Sequence, residues 1–352
     1  LHTLRQSKNT HHVPGMKPTA RYPSMNNRKT YTHLSQSDIA LQIESLVQAV
    51  ERHDSPAFRF RQTRNGYERV EETNLSRYLT HIKQMVDLFD DRVEYDYSEH
   101  LQAFRESCQD IGLERHPDGP VCLNEEGAAY LDHHRSMNVL VARIRQLTRE
   151  RWYCRNRDDR RYQAKDQEAD VCDYADALCE RYSRITIVRA DFHYRSEMQA
   201  RLRVEHVFGD LKQLITAHKR NLIFKHLIGH IYVVEQGDRN DGGGYHIHAA
   251  YFFNGNVVQR DVYKAIQLGE LWEDITHGQG YTHSCNHDKE RYGDECGIGL
   301  ILRSDRASRP NVHKALKYLV KDAQHLRLRP AGARCLRMGQ LNRSRRGWIA
   351  AR

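Results

Sequence analysis

The amino-acid sequence predicts an α+β protein, in which a helical N-terminal part precedes a domain built around a central antiparallel sheet flanked by helices. Hydrophobic residues recur at helical spacing through the first half, and dense β-rich segments begin at residue 183. The later elements follow the order strand, helix, strand, strand, helix, strand, helix, which favours an antiparallel sheet. We therefore expect a helical, acidic domain over 31–182 and an α+β domain over 183–325, between basic tails at 1–30 and 326–352.

The first half of the chain is expected to be helical. Residues 1–30 hold three prolines among polar residues, which predicts a disordered tail. No strand is predicted before residue 183, and loops are expected near Gly66 and over 116–120. Apolar side chains at helical spacing predict helices over 39–50, 75–88 and 137–147.

The second half is expected to alternate strands with helices. The second and third of its strands are joined by GDRNDGGG, which is typical of a turn between antiparallel strands. Pro310 opens the last helix, as proline does at a first helical turn. Strands are predicted over 184–189, 227–235, 245–253 and 297–302, and helices over 196–219, 258–272 and 311–324.

The charge of the chain is unevenly distributed. The formal net charge is +9, but residues 1–30 and 323–352 together carry 14 basic residues and no acid, so the rest of the chain is at −5. Basic tails on a folded body favour a polyanion such as nucleic acid as the partner. The C-terminal arginines are therefore expected to contact phosphates: Arg327, Arg329, Arg334, Arg337, Arg343, Arg345 and Arg346.

The cysteines and the hydropathy indicate a cytoplasmic protein. Eight cysteines are spread along the chain without a CxxC pair. The sequence shows no secretory signal and no apolar run of membrane-spanning length. We therefore expect reduced thiols, a cytoplasmic location and no membrane partner.

A His-Ile-His sequence gives the clearest indication of chemistry. Alternate side chains of a strand share a face, so His246 and His248 point the same way, with Cα atoms roughly 7 Å apart. The strand is apolar and buried imidazoles need partners, so a metal is favoured over a structural role. Glu235, which ends the preceding strand, is the expected third ligand or else an exposed strand-end carboxylate. Asp191 is the alternative third ligand.

The last predicted helix contains a possible nucleophile. Its apolar residues form one stripe, and a second stripe contains Lys314, Tyr318, Lys321 and His325. Tyr318 and Lys321 are one turn apart, so the ammonium group would favour the phenolate of a nucleophilic tyrosine. The same pattern is also typical of an amphipathic helix with a lysine reaching towards solvent.

A further group of possible ligands surrounds Cys285. His283, Cys285, His287 and Cys296 could form a zinc site, because sulfur and imidazole suit zinc. Their spacing matches no common zinc motif, and the segment is polar and contains glycines. A mobile active-site loop is the preferred interpretation.

The two main motifs resemble those of the HUH endonuclease superfamily, which has His-hydrophobic-His on a strand and a later Tyr-x-x-Lys on a helix. Here they are HIH at 246–248 and YLVK at 318–321, in the family order, and RITIVR at 184–189 resembles the first motif strand. Within this superfamily, the chain resembles the gene-two type replication initiators of filamentous phages (inoviruses). The resemblance covers roughly residues 180–340. It implies a ferredoxin- or RRM-like HUH domain over 183–325 and says little about 31–182.

The resemblance implies a rolling-circle replication initiator that nicks single-stranded DNA at an origin. His246 and His248 would bind Mg²⁺ or Mn²⁺, Tyr318 would be the nucleophile, and Lys321 matches the lysine of its motif. The products would be a covalent 5′-phosphotyrosine and a 3′ hydroxyl that primes synthesis. Some relatives carry a second tyrosine where this chain has Lys314, so a single-tyrosine form is expected.

The resemblance also implies partners and leaves two alternatives. The substrate would be single-stranded DNA or an origin hairpin in a bacterial host cell. No GxxxxGK[ST] phosphate loop occurs in the sequence, so a helicase as well as a polymerase would come from the host. The same residues would also serve a single-tyrosine transposase or relaxase, or a non-catalytic DNA-binding regulator with a decayed HUH fold.

Overall fold

The computed structural model describes residues 34–90, 93–237, 244–320, 325–344 and 347–350; the predicted tail at 1–30 lies outside them. At the start of the first helix, the Ser35 hydroxyl accepts from the backbone N–H of Asp38, whose carboxylate accepts from Ser35 in return. None of the described helices is both long enough and apolar enough to cross a membrane. The helices of the first half are α1 (Gln36–Arg52), α2 (Ile82–Asp87), α3 (Glu99–Asp110), α4 (His133–Leu147) and α5 (Arg151–Arg181).

Three short strands also lie in the first half, so the prediction of no strand before residue 183 is wrong. β1 (Phe58–Gln62) and β2 (Glu68–Glu72) form an antiparallel hairpin whose turn contains Gly66 at φ 79°. β3 (Tyr95–Tyr97) pairs with a strand near the C-terminus. Most side chains of the hairpin are exposed and many are charged. The apolar face of the hairpin is limited mainly to Phe58 and Phe60, which is too short a pattern to identify a strand from sequence.

The second half forms a central antiparallel sheet, which confirms the prediction of a mixed α+β fold. β5 and β4 flank β6, and β7 and β8 both pair with β4, towards opposite ends of it. β4 extends well beyond the predicted strand, and β7 was not predicted. The elements are β4 (Arg184–Tyr194), α6 (Ser196–Gln199), α7 (Val204–Ala217), β5 (Leu227–Gln236), β6 (Tyr245–Asn254), α8 (Asp261–Ile275), β7 (Gly280–His283), β8 (Gly299–Leu302) and α9 (Arg309–Lys317).

The central sheet is buried on both faces. One face contributes Tyr232, Ile247 and other side chains to a hydrophobic core shared with helices of both halves, including α1 and α7. The opposite face, here called the α9 face, packs Ile187, Ile231 and Phe252 against α5 and α9. Polar side chains that α5 and α9 cover on this face are thus shielded from water and need partners.

The helix of the tyrosine motif is shorter than predicted. α9 has Pro310 in its first turn, as expected, but it ends at Lys317. The chain continues in a tighter 3₁₀ turn over Tyr318–Val320, and residues 321–324 lie outside the described residues. The structure therefore describes Tyr318 but not Lys321.

Much of the segment predicted as a basic C-terminal tail forms strands. β9 (Leu328–Pro330) pairs with β3, and β10 (Leu336–Met338) extends the central sheet beside β5. β11 (Leu341–Ser344) and β12 (Gly347–Ala350) form a hairpin. Leu326 and Leu328 are buried, whereas the frequent arginines give the segment the composition of a tail.

Arg327 is buried, so the expectation that it contacts phosphates is wrong. Its guanidinium donates to the Glu44 carboxylate at 2.9 Å and to the backbone oxygen of Gln236 at 3.1 Å. Both Arg327 and Glu44 are almost inaccessible to water. This pair ties the C-terminal segment to α1 and to the end of β5.

Arg327→Met should lower the free energy of unfolding by about 3 kcal/mol, because it leaves the buried Glu44 carboxylate without its cation. Chemical denaturation measures this change. Arg334→Met removes an exposed arginine from the same segment and should stay within about 0.5 kcal/mol of the parent protein. Unchanged stability of Arg327→Met, with a weaker salt dependence of DNA binding, would instead assign Arg327 to phosphates.

Candidate metal centre

The antiparallel register of β5 and β6 brings the predicted ligands together. Glu235 and His246 are directly opposite each other, and His248 follows two residues later on the same strand face. All three side chains lie on the α9 face, at the end of the sheet where its apolar residues give way to polar ones. Glu235 is only 2% exposed, which excludes an exposed strand-end carboxylate.

The three side chains converge on one point. The Oε1 atom of Glu235 lies 2.5 Å from Nε2 of His246 and also contacts Nε2 of His248. The ligand atoms of this triad all lie within 4.8 Å of one another. Two imidazoles and one carboxylate in this arrangement form a donor set for a divalent cation.

The hydrogen bonding of the triad suits a metal ion. Oε1 of Glu235 and Nε2 of His248 are buried and have no hydrogen-bond partner of acceptable geometry, although they approach each other closely. The other ring nitrogen of His248 is bound by Asp191, and that of His246 lies 3.3 Å from the backbone oxygen of Gly244. Histidine ligands commonly have their second nitrogen held in this way. These side chains would hold the ion through their unpartnered atoms.

Asp191 is a partner of the triad and not its third ligand. It lies within β4, directly opposite His248 on β6, and its Oδ1 is 2.5 Å from Nδ1 of His248. Because Nε2 of the same ring points to Glu235, Asp191 is on the far side of the imidazole. It fixes the orientation of His248, and the triad itself consists of Glu235, His246 and His248.

The charges of this site shift the pKa values of its groups. Burial disfavours the charged form of His248, but the Asp191 and Glu235 carboxylates outweigh it and raise the pKa to about 9. Burial likewise opposes ionisation of those two carboxyls, yet the adjacent imidazoles lower the pKa of each. Burial and the nearby His246 lower the pKa of His193 to about 4. Metal binding must displace the proton that His248 holds, because only a neutral imidazole is a ligand.

Tyr318 lies against the triad. Its ring centroid is 6.1 Å from that of His248, in an edge-to-face arrangement, and its side chain is 41% exposed. The guanidinium carbon of Arg189 lies 4.4 Å from the centre of the Tyr318 ring. A solvent-accessible phenol, a buried cation and the triad therefore share one corner of the protein.

Arg189 and His193 belong to this corner and were not recognised in the sequence. The guanidinium of Arg189 is 3.6 Å from Oδ2 of Asp191, and its buried Nε has no hydrogen-bond partner. His193 stacks on His246 with ring centroids 5.0 Å apart. Both lie on β4 at alternate positions with Asp191, so the signal was the polar alternation in RADFH, of which only Arg189 fell within the predicted strand.

The segment after β7, for which the sequence favoured a mobile active-site loop, begins with residues that are held against β4. Ser284, Cys285 and Asn286 are buried and follow the path of β4. The Asn286 side chain accepts from the backbone N–H of Arg189 at 2.8 Å, and the Ser284 hydroxyl donates to the oxygen of Arg189 at 2.7 Å. These side chains substitute for the strand hydrogen bonds that end at β7.

The corner combines features that suit chemistry on a phosphate. It offers a donor set for a cation, a buried guanidinium for an anion, and a partly exposed tyrosine whose hydroxyl can act as a nucleophile. No protein-family model, curated protein or solved structure gives a significant match to this chain, so its site is interpreted from the geometry alone.

Proposed function

We propose that this protein is a rolling-circle replication initiator of the HUH type, which nicks single-stranded DNA and becomes linked to the 5′ end through Tyr318. The supporting observation is the position of the Tyr318 ring, 6.1 Å from that of His248 in the triad. A nucleophile beside a cation site is the arrangement that phosphoryl transfer to a side chain requires.

The arrangement of the sheet supports this proposal. From β4 the order of elements is strand, helix, strand, strand, helix, strand, and β4 and β6 occupy the centre of the sheet. β6 runs antiparallel between β4 and β5, and β7 runs antiparallel on the other side of β4. A ferredoxin-like unit, the architecture expected of an HUH domain, would have this order, which therefore supports the proposal.

The reaction conserves the number of phosphodiester bonds. The Tyr318 oxygen forms a bond to phosphorus while the bond from phosphorus to the 3′ oxygen breaks. The phenol proton passes to solvent, and the departing 3′ oxygen takes up a proton to become a hydroxyl. Because the phosphotyrosine keeps the bond energy, a later 3′ hydroxyl can reseal the strand without another energy source.

The other side chains of the site have separate roles in the proposed reaction. Glu235, His246 and His248 would hold Mg²⁺ or Mn²⁺, which polarises a phosphate oxygen when bound. Asp191 keeps the His248 ring in place. Arg189 supplies a fixed positive charge beside the Tyr318 ring, where charge develops on the phosphate during the reaction.

Two clefts offer paths for a DNA strand. One, of about 620 Å³, lies beside Tyr318 and is lined by His313, Lys314 and Lys317 among others. A larger one, of about 1580 Å³, leads to Glu235 between α5 and the C-terminal segment. Basic side chains with interspersed aromatic rings are typical of single-strand binding. The larger cleft is lined by Tyr97, Arg329, Arg334 and Arg337 on one side and by Tyr162 and acidic side chains of α5 on the other.

Adduct formation tests the proposal. The protein is incubated with Mn²⁺ and a pool of single-stranded oligonucleotides labelled at the 3′ end, then boiled in detergent and run on a denaturing gel. We expect a labelled band that migrates with the protein, and a released 5′ fragment that a polymerase can extend. Oligonucleotide binding without any adduct would favour a regulator with a decayed site.

Arg189→Met should slow adduct formation by about 10² fold, since it removes a preorganised positive charge from the reacting phosphate. Binding of the oligonucleotide, measured by fluorescence anisotropy, should change far less. Arg184→Met is the matched control, because Arg184 lies on the same strand but is exposed. An equal loss in both variants would mean that Arg189 contributes only general charge.

A further inference from the structure

Cys285 is a buried thiol that the proposed reaction does not use. It lies between Ser284 and Asn286, whose side chains fix the backbone against β4. Asn286 also donates to the Asp261 carboxylate at 2.8 Å, and that carboxylate is bound by Lys289 at 2.8 Å. The thiol is therefore held in place on both sides by buried hydrogen bonds, as a preformed ligand would be.

Two further donor side chains face this thiol. His283 on β7 is directly opposite Asp191 on β4, so their side chains share a face. Nδ1 of His283 is 3.9 Å from Oδ2 of Asp191. The donor atoms of Asp191, His283 and Cys285 all lie within 4.8 Å of one another. Two ligands of one zinc ion are about 3.4 Å apart for bonds of roughly 2.0–2.1 Å, so a small movement of the exposed His283 would close the site.

We propose that Asp191, His283 and Cys285 form a second, sulfur-containing site for a divalent cation of the zinc class. Thiolate with imidazole and carboxylate is a donor set that selects zinc over magnesium. Binding replaces the thiol hydrogen of Cys285 by the metal and releases that proton to solvent. The exposed position of His283 leaves a fourth ligand position open to water or to a substrate oxygen.

The oxygen that Asp191 offers is available. Its Oδ1 is occupied by Nδ1 of His248, whereas Oδ2 faces His283. The guanidinium of Arg189 is 3.6 Å from Oδ2, which is beyond hydrogen-bonding distance. Asp191 and a deprotonated Cys285 would together supply two negative charges to the ion, against the one positive charge of Arg189.

The second site is separate from the triad, and the proposal does not depend on the nicking function. The triad contains no sulfur, and Asp191 connects the two sites only through the His248 ring. Cys296, the other sulfur considered from the sequence, donates instead to the backbone oxygen of Ile298 at 3.5 Å. Within the described residues, Cys285 is the sulfur that can join a three-ligand group.

Cobalt(II) is a suitable probe of the second site. A thiolate bound to Co²⁺ gives a near-ultraviolet charge-transfer absorption, which oxygen and nitrogen ligands do not give. Metal-free protein with reduced thiols is titrated with CoCl₂ in the absence of oxygen. We expect this absorption to reach its maximum when the sulfur site of each chain holds one Co²⁺ ion. Added Zn²⁺ should then abolish it, because zinc binds such donor sets more tightly than cobalt.

Variants identify which residues give rise to the thiolate–Co²⁺ absorption. Cys285→Ser should abolish the absorption, whereas Cys296→Ser and Glu235→Gln should retain it. His283→Ala removes an exposed side chain, so it should fold normally and lower the Co²⁺ affinity at least about tenfold. The proposal is wrong if the parent protein shows no sulfur absorption, if Cys285→Ser keeps it, if Cys296→Ser or Glu235→Gln loses it, or if His283→Ala binds Co²⁺ as tightly as the parent.

Discussion

Tyr318→Phe should abolish the covalent protein–DNA adduct, with a loss of at least about 10⁴ fold, because the substitution removes the atom that attacks phosphorus. The phenyl ring keeps the contacts with Arg189 and His248, so folding and oligonucleotide binding should persist. The measurement is the denaturing-gel assay with 3′-labelled DNA, accompanied by anisotropy with the same oligonucleotide.

Tyr263→Phe is the matched control, because Tyr263 is an exposed tyrosine on α8, away from the α9 face. It should form the adduct at the parental rate. Mass spectrometry of the adduct supplies an independent check, since two other exposed tyrosines lie near the site. Tyr281 stacks on His193, and Tyr292 is hydrogen-bonded to Cys285. An adduct mapped to either of them would overturn the assignment of Tyr318.

The triad could be predicted because its three residues lie on two strands that are consecutive in the sequence. A strand places alternate residues on one face, so His246 and His248 follow from three letters of sequence. β5 and β6 are antiparallel and are joined by the eight residues 237–244, so the end of the first strand is expected near the start of the second. Glu235 follows from that constraint without any knowledge of the rest of the fold.

The roles of Asp191 and Arg189 could not be predicted because they depend on distant pairing. Asp191 reaches His248 across 57 positions of sequence, and its register on β6 is fixed by packing rather than by a turn. The contact between Arg189 and the Tyr318 ring forms only when the 3₁₀ turn after α9 packs against β4. Sequence periodicity indicates which face a residue occupies within its own strand, but not which element covers that face.

The C-terminal segment illustrates the same limit at longer range. Arg327 and Glu44 are 283 positions apart, so nothing local distinguishes this arginine from those of a solvated tail.

The end of α9, just before Tyr318, could not be predicted for a different reason. The apolar stripe of this helix predicted a helix up to residue 324, but α-helical geometry ends at Lys317 and a 3₁₀ turn follows. Helix ends are set by tertiary contacts that periodicity does not report.

Glu235→Gln should weaken Mn²⁺ binding by about 100-fold or more, because it replaces the one carboxylate of the triad by a neutral amide of the same shape. Electron paramagnetic resonance of free Mn²⁺ measures the affinity without DNA. The parent protein should lose all adduct formation in EDTA and regain it when Mn²⁺ is added. Glu270→Gln, on the exposed side of α8, is the matched control and should bind Mn²⁺ like the parent.

The response to excess metal then separates a ligand from the nucleophile. In Glu235→Gln, His246 and His248 remain, so high Mn²⁺ should restore part of the adduct by mass action. In Tyr318→Phe no concentration of Mn²⁺ should restore it, because the attacking atom is missing. Parental Mn²⁺ affinity in Glu235→Gln would remove this residue from the metal centre. Full adduct formation by the parent protein in EDTA would remove the metal from the reaction and leave the triad as a buried hydrogen-bonded cluster.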